Sequence, residues 1–348
     1  MSTFTEVINY AYPNARIKAM QSFLIPEKLL RAMTEARSVE NLISHFEQTS
    51  YRDEFRELES IDSITIERAL LKNLVSTYEK MLKISPEKAI PVLNCISREY
   101  EIMLIKDILT AKIESDVDEN ELKERSFMLS DKIKVILPRI IEARSIEETI
   151  NSFNRTEYRD VLKRGYESYL ETNNTMSFSI ALDEYYFSQL WRSTKNIKDR
   201  DGEITHKFIG IQCDVINIMT LLRSKFQKFD VKKFIIPLDY NLKHYIDPCI
   251  KAENITEIVS ILGKTPYGKI ISDSITEADK KNPLLKVELN LKRYIAKVAK
   301  SYLVGYPFHI GTILGFLRLK EIEIKNLRAI TVCIENELNP DEIRDMLV

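Results

Sequence analysis

The chain contains few of the residues that interrupt helices. Only 8 glycines and 11 prolines occur among its 348 residues. All-β proteins and doubly wound α/β proteins need turn signals at regular intervals, and this sequence has too few of them. We therefore expect an all-α fold. The length leaves room for more than one helical domain, each with a substantial core.

Neither the cysteines nor the charges indicate a secreted or nucleic-acid-binding protein. The four cysteines, Cys95, Cys213, Cys249 and Cys333, lie far apart and form no C-x-x-C pair, which is typical of reduced, buried thiols. The 51 Lys and Arg residues nearly balance the 52 Asp and Glu residues, giving a formal net charge of −1. The net basic field of non-specific nucleic-acid binding is missing, and we expect no nucleic-acid partner.

Long hydrophobic runs are also missing. The most apolar stretch, "FHIGTILGFLRL" at 308–319, is interrupted by His309 and Arg318 and is shorter than the roughly 20 residues of a membrane span. Its Gly311 and Gly315 have the spacing of a close contact between two helices. The N-terminus matches neither a signal peptide nor a transit peptide. We expect no transmembrane segment.

Motifs that carry chemistry are absent as well. The four histidines are not spaced for zinc, and no P-loop, G-x-G-x-x-G or G-x-S-x-G occurs. The acidic run at 114–121 and the pair Asp183-Glu184 are more typical of solvated helix faces than of cation sites. The sequence therefore predicts no catalytic residue, no metal site and no cofactor.

A sixteen-residue motif, in contrast, occurs three times. Its copies read "ARSVENLISHFEQTSY", "ARSIEETINSFNRTEY" and "AENITEIVSILGKTPY", with Thr thirteen residues after Ala and Tyr two residues later. The repeated residues are Ala36, Thr49 and Tyr51, then Ala143, Thr156 and Tyr158, then Ala252, Thr265 and Tyr267. We expect Ser38, Ser145 and Asn254 to be N-caps, with Glu148 completing a capping box. Each Thr should cap the next helix, and each Tyr should pack its first turn on the core.

Two acidic markers follow each copy in the same order. The first lies on the next helix, in an apolar setting, and comprises Glu67, Asp183 and Glu288. We expect these acids either to pair with buried cations or to lie in an interface. The second lies on a third helix, with inward positions three, four and seven residues later, and comprises Glu101, Asp214 and Glu323.

The spacing of the copies indicates repeated domains. The motif starts lie 107 and 109 residues apart, well beyond the 20–50 residues of a solenoid repeat. We expect helical repeats at 1–112, 113–226 and 227–348, packed around a pseudo-threefold axis with a funnel-shaped hollow. Within this scheme "TIERALLKNLVSTYEKMLKI" at 65–84 forms an amphipathic helix, and Ser85 and Pro86 begin the next one.

Taken together, these segments resemble a known family. The three repeats, the N-terminal "YAYPNARIKAMQSFLIPEKLLRAM" and the C-terminal "YPFHIGTILGFLRLKEIEIKNLRAI" resemble the C subunit of archaeal A-type and bacterial V-type ATP synthases, a relative of the d subunit of vacuolar ATPases. The resemblance covers almost the whole chain and includes "NELNPDEIRDMLV" at 336–348. The third copy departs from the other two, with Glu253 and Asn254 where they have Arg-Ser.

The resemblance implies a non-catalytic rotor subunit without a cofactor. Such a subunit lies on the cytoplasmic face of the membrane, receives the axle formed by the D and F subunits, and rests on the membrane proteolipid ring. It contacts the catalytic A/B hexamer only indirectly. Two alternatives remain: an all-α scaffold of an unrelated complex, which would not associate with an ATPase, and a helical enzyme, which would bind ATP or a metal.

Overall fold

The computed structural model describes residues 2–56, 58, 60–227, 231–237, 240–276 and 283–348, and the secondary structure of this part of the chain is helical, without a strand. The all-α prediction is therefore confirmed. The α-helices are α1 (Ser2–Gln21), α2 (Glu27–Thr34), α3 (Val39–Phe46), α4 (Arg52–Arg56), α5 (Ser63–Ile84), α6 (Ile90–Glu114), α7 (Glu119–Glu124), α8 (Asp131–Glu142), α9 (Ile146–Ser152), α10 (Arg159–Thr172), α11 (Met176–Thr194), α12 (Arg200–Gln227), α13 (Ile246–Lys251), α14 (Ile255–Leu262), α15 (Gly268–Thr276), α16 (Pro283–Ser301), α17 (Ile310–Glu335) and α18 (Pro340–Asp345). Short 3-10 helices cover Glu87–Ala89, Arg125–Met128 and Val231–Phe234.

The chain divides into two compact units. The first unit contains Met1–Ile90 and Lys195–Val348, and the second contains Pro91–Thr194. The first and third motif copies therefore belong to the first unit, and the second copy belongs to the second unit. The division into three repeats at residues 112 and 226 stays a prediction.

Helix α17 is the central element of the first unit. It packs against α1, α5, α12 and α16. Because neighbours cover it on several sides, polar as well as apolar side chains of this helix are buried, among them Lys320, Glu321 and Glu323. Such buried charges need partners within the fold, and the residues around Glu323 supply them.

The contact between α16 and α17 depends on a glycine. A Cβ atom at Gly315 would lie 2.6 Å from the carbonyl oxygen of Ala299 on α16, so a larger residue requires a shift of the backbone. At Gly311 the added atom would instead meet the rings of His309 and Tyr302. The G-x-x-x-G spacing thus serves close helix contact at Gly315 and packing against rings at Gly311.

In the second unit, α10 and α11 form the most extensive helix contact. Helix α10 ends at Asn173, which adopts the left-handed conformation (φ 51°) and donates its N–H to the carbonyl of Tyr169. Asn tolerates this conformation better than most residues, so it ends the helix and allows a short connection to α11.

The start of α6 differs from the prediction. Ser85 is not an N-cap: it follows the last residue of α5, a 3-10 turn covers Glu87–Ala89, and α6 begins at Ile90. The reason is Pro91. In a helix that began at Pro86, Pro91 would be an interior residue, where it lacks an N–H and clashes with the preceding turn. At the first turn of α6 the missing N–H costs nothing.

Candidate functional site

All three motif copies form the same turn. In each copy the Thr hydroxyl donates to the carbonyl three residues earlier and accepts the N–H of the Tyr two residues later. The hydroxyl-to-carbonyl distances are 2.8 Å at Thr49, 2.8 Å at Thr156 and 2.6 Å at Thr265, and the Tyr nitrogens lie 3.2, 3.2 and 3.3 Å from the same hydroxyls. Helices α4, α10 and α15 begin at the residue after each Tyr.

Each motif helix has a side-chain cap at its N-terminus. Ser38, Ser145 and Asn254 accept an N–H from the third helical residue. The predicted capping box at Ser145 differs in detail, because the Glu148 carboxylate accepts the N–H of Arg144, one residue before the cap. The motif Ala residues precede these caps; Ala36 and Ala252 are buried and Ala143 is half-buried.

The hydroxyl of each motif Tyr donates to a buried carboxylate on a long helix. The three pairs are Tyr51 with Glu323 on α17 (2.6 Å), Tyr158 with Glu101 on α6 (2.6 Å), and Tyr267 with Asp214 on α12 (2.7 Å). We call each pair a latch. Every latch lies within one compact unit and joins a motif turn to a long helix.

The same carboxylates also bind the backbone of the segment before the motif. Glu323 accepts the N–H of Ile25, Glu101 that of Ser130, and Asp214 that of Asn241. A single acid therefore fixes two positions of the chain around each motif copy. The Tyr hydroxyls and the three backbone N–H groups thus have partners inside the fold, as buried polar groups require.

Sequence order did not reveal which acid each Tyr contacts. The predicted repeat 1–112 contains both Tyr51 and Glu101, yet Tyr51 binds Glu323 and Glu101 binds Tyr158. Each Tyr contacts the acid on the long helix that precedes its motif copy, and for the first copy that helix is the last long helix of the chain. The regular alternation of Tyr and acid along the sequence was a usable signal, but each Tyr could have paired with the acid that follows it or with the acid that precedes it.

The Tyr51–Glu323 latch contains a buried lysine. The Lys320 ammonium lies 2.6 Å from the Tyr51 hydroxyl and 3.0 Å from the Glu323 carboxylate, and 4.1 Å from the centre of the Tyr51 ring. Burial lowers the pKa of Lys320, and the Glu323 charge opposes that shift. Burial, followed by the Glu323 charge, raises the pKa of Tyr51. The lysine compensates the buried carboxylate.

The Tyr267–Asp214 latch has no such compensation. Aspartate is one methylene shorter than glutamate, and both of its hydrogen bonds, from the Tyr267 hydroxyl and the Asn241 N–H, reach the same oxygen, Oδ2. Its other oxygen, Oδ1, is buried and has no hydrogen-bond partner in the described part of the chain. Burial is the largest cause that raises the pKa of Asp214, to about 6.

The acids of the second helices form ion pairs with partly exposed cations. Glu67 lies 2.5 Å from Arg328, Asp183 2.6 Å from Lys106, and Glu288 2.6 Å from Arg223. The six side chains are 23–48 % exposed, so the cations that pair with these acids are not buried, and an interface role of the acids stays a prediction. Because water reaches both partners, each pair stabilises the fold by about 1 kcal/mol at most.

A further buried acid, Asp201, was missed by sequence reasoning. Its carboxylate accepts the Tyr10 hydroxyl (2.6 Å) and the N–H of Ile310 (2.8 Å), and it lies 2.6 Å from the Lys88 ammonium. It therefore joins α1, the start of α12, the 3-10 turn before α6 and the start of α17. Asp201 has no counterpart in the repeat pattern, so the sequence offered no signal for it.

Two asparagines on the long helices hold extended backbone in the same way. Asn217 on α12 donates to the carbonyl of Ile236 (3.0 Å) and accepts its N–H (2.8 Å). Asn326 on α17 makes the same two bonds with Val348, both at 3.0 Å. Both asparagines lie three residues after the latch acid, at positions predicted to face inward. The C-terminus is thus attached to α17.

The structure shows neither a metal site nor a membrane span within the described residues. No group of three or more His, Cys, Asp or Glu side chains there could hold a metal ion. None of the helices in those ranges is long and apolar enough to cross a membrane. The buried polar groups that the fold brings together include those of the latches, the Asp201 cluster, the asparagine contacts, and Glu321 with Tyr78 and Arg318.

Comparison with known proteins gives one consistent family. The model of the family described as "ATP synthase (C/AC39) subunit" matches residues 13–346. The C subunit of the A-type ATP synthase of Pyrococcus abyssi is 28% identical over 341 residues, covering 97% of this chain and 90% of the relative. The same-named proteins of Methanocaldococcus jannaschii and Methanosphaera stadtmanae are also 28% identical, covering 97% and 99% of this chain and 86% and 89% of theirs. Because the family model spans nearly the whole sequence, the chain belongs to the ATP synthase (C/AC39) subunit family and has the role of an ATP synthase subunit.

Proposed function

We propose that the chain is a non-catalytic rotor subunit in the central stalk of an A/V-type ATP synthase. In this role it lies on the cytoplasmic face of the membrane, between the axle formed by the D and F subunits and the proteolipid ring. It passes torque between ion flow and the catalytic A/B hexamer. The observation that carries the proposal is the family match over residues 13–346, together with relatives named as the C subunit of A-type ATP synthases.

The repeated polar groups bond to each other inside the protein, and this supports a structural role for them. In all three latches the Tyr hydroxyl and the carboxylate are bonded to each other inside the protein. The Tyr side chains are fully buried. Groups in this state cannot reach a substrate, so the repeated residues contribute to shape and not to chemistry.

A rotor subunit that transmits torque must resist deformation. Each latch fixes a long helix, α6, α12 or α17, to a turn that is distant in sequence. A hydrogen bond to a charged group contributes about 1.5–3 kcal/mol, and breaking it leaves a buried charge unsatisfied. Three such contacts, placed on three of the longest helices, oppose bending of the helices away from their neighbours.

Affinity purification tests this proposal. The full chain, tagged at its N-terminus, is expressed in its native cell and purified from membranes in a mild detergent, with mass spectrometry and an ATPase assay of the eluate. We expect the A, B, D and F subunits and the proteolipid to co-elute with ATP hydrolysis, while the isolated chain hydrolyses none. Elution of the chain alone, or with an unrelated complex, would overturn the rotor assignment in favour of a general scaffold.

The purification also separates two kinds of contact. We expect moderate salt to weaken the association with the ring, because polar and charged loops make contacts that ions screen. An eluate that retains D and F but loses the proteolipid as salt rises therefore fits the proposal. Retention of the proteolipid with loss of D and F at low salt would contradict the position assigned to the chain.

A further inference from the structure

The three latches are chemically unequal, and the inequality lies in the carboxylates. Glu323 uses both oxygens and has Lys320 beside it. Glu101 also uses both oxygens, one for Tyr158 and one for the Ser130 N–H. Asp214 uses only Oδ2, and its Oδ1 is buried without a partner in the described part of the chain. Glu323 and Glu101, which occupy the equivalent positions of the other two latches, can therefore be compared directly with Asp214 and its unpaired Oδ1.

The surroundings of Asp214 provide no positive charge within the described ranges. The groups that influence it are Tyr267 before α15, Tyr240, Asn241 and the backbone of Leu242 in the segment before α13, and Cys213 on its own helix. On α16, the ring of Tyr294 packs edge-on against Tyr267.

The remaining neighbours are apolar. They belong to the core that α12 shares with α14, α15 and α16 and include Ile211, Val215, Ile218 and Leu291. On α17, Arg318 is bonded to Gln212 and Glu321. Within the described residues no Lys, Arg or His lies within ion-pair distance of Asp214. An ionised Asp214 is therefore a buried charge that polar groups of Tyr267, Asn241 and Leu242 stabilise without a cation, and burial still outweighs them in setting its pKa.

We propose that Asp214 is a proton-responsive latch that binds a proton on Oδ1 in the mildly acidic range and thereby stabilises the folded first unit. The proton removes the buried charge, while Oδ2 still accepts the Tyr267 hydroxyl and the Asn241 N–H. The inference concerns the stability of the first unit and does not rest on the proposed rotor function.

The sign of the effect follows from the two states of the chain. In the unfolded chain Asp214 has an ordinary carboxyl pKa near 3.8, and in the folded chain its pKa is about 6. Between these values the folded state holds a proton that the unfolded state has released. The contribution to stability is therefore fully present below the unfolded value and is lost as pH rises through the folded value.

The test compares the wild-type chain with Asp214→Asn by urea denaturation at several pH values. The amide keeps an oxygen for the Tyr267 and Asn241 bonds but cannot titrate. Relative to the variant, the wild-type folding equilibrium constant should rise roughly tenfold from about pH 7.5 to about pH 5. Asp160→Asn, at a side chain that is 90 % exposed, controls for the substitution itself. Parallel pH profiles of wild type and Asp214→Asn would overturn the proposal.

A second measurement keeps the proposal testable if Asp214→Asn does not fold. In the wild-type chain with ¹³C-labelled Asp carboxyls, one resonance should titrate with a midpoint near pH 6 and be absent from the spectrum of Asp214→Glu. A spectrum in which every Asp carboxyl titrates below about pH 5 would contradict the proposal.

Discussion

The Tyr51 hydroxyl donates a 2.6 Å hydrogen bond to the carboxylate of Glu323, a residue 272 positions later in the chain. This contact attaches the first motif copy to the last long helix. The second and third copies have the same contact with a helix that comes only a few dozen residues earlier. The first copy therefore obtains its latch carboxylate from the C-terminal part of the chain, whereas the other two copies obtain theirs from the long helix that precedes them in sequence.

Removal of a latch hydroxyl should destabilise the second unit. In Tyr158→Phe the Glu101 carboxylate keeps the Ser130 N–H but loses its bond to the Tyr158 hydroxyl, and we expect the free energy of unfolding to fall by about 1–3 kcal/mol. Urea denaturation followed by circular dichroism measures the change. Tyr12→Phe makes the same chemical change on a ring that is 61 % exposed and should have almost no effect. Equal effects of the two variants would refute the role of the latch.

Replacement of Lys320, the buried lysine of the Tyr51–Glu323 latch, should destabilise the fold more than removal of a latch hydroxyl. Lys320→Met leaves the Glu323 charge buried without its compensating ammonium, so we expect a loss of about 3 kcal/mol in the free energy of unfolding. The control is Lys325→Met, which removes an exposed lysine from the same helix. Thermal melting of the three proteins compares them directly, and similar melting temperatures for all three would contradict the prediction.

Loss of the asparagine contact should release the C-terminus. Asn326→Ala removes two hydrogen bonds to Val348, leaving the bonds from Arg293 to the backbone of Asp345 and Leu347. We expect carboxypeptidase to remove terminal residues about tenfold faster or more, because local opening becomes less costly. Mass spectrometry follows the digestion. Asn336→Ala, at an exposed residue just past the same helix, should leave the rate unchanged.

The glycine between α16 and α17 should not accept a side chain. Gly315→Ala places a methyl group against the Ala299 carbonyl, and we expect a destabilisation of about 1–3 kcal/mol as the helices move apart. In Gly263→Ala, at an exposed residue, the new atom would lie 3.1 Å from the Ser260 carbonyl oxygen, a less severe approach, so we expect a smaller loss from this comparison variant. A Gly315→Ala protein as stable as the wild type would show that the contact is loose.

Much of the local structure could be predicted from the sequence. The amphipathic pattern at 65–84 agrees with α5 within two residues, and the caps at Ser38, Ser145 and Asn254 form as expected. Periodicity and capping depend on neighbours within one or two helical turns, which the sequence states directly. The same local reasoning was wrong at Ser85, because Pro91 restricts where the helix can begin.

The pairing of distant groups could not be predicted. Spacing identified Tyr51 and Glu323 as repeated residues, but which motif turn meets which long helix depends on the packing of whole helices. The contacts of Asp201 could not be predicted either, since its partners Tyr10, Lys88 and Ile310 follow no periodic pattern. Long-range contacts of this kind are set by tertiary packing, which a single sequence encodes only indirectly.

The coupling of ATP hydrolysis to ion transport tests the central claim most directly. Vesicles are prepared from cells that lack this chain and from cells in which the wild-type gene has been restored, and ATP hydrolysis and ATP-driven ion uptake are measured on both. If the chain joins the axle to the ring, its loss should abolish ion uptake while the detached catalytic part still hydrolyses ATP, and restoration should recover uptake. Ion uptake that continues unchanged without the chain would contradict the account.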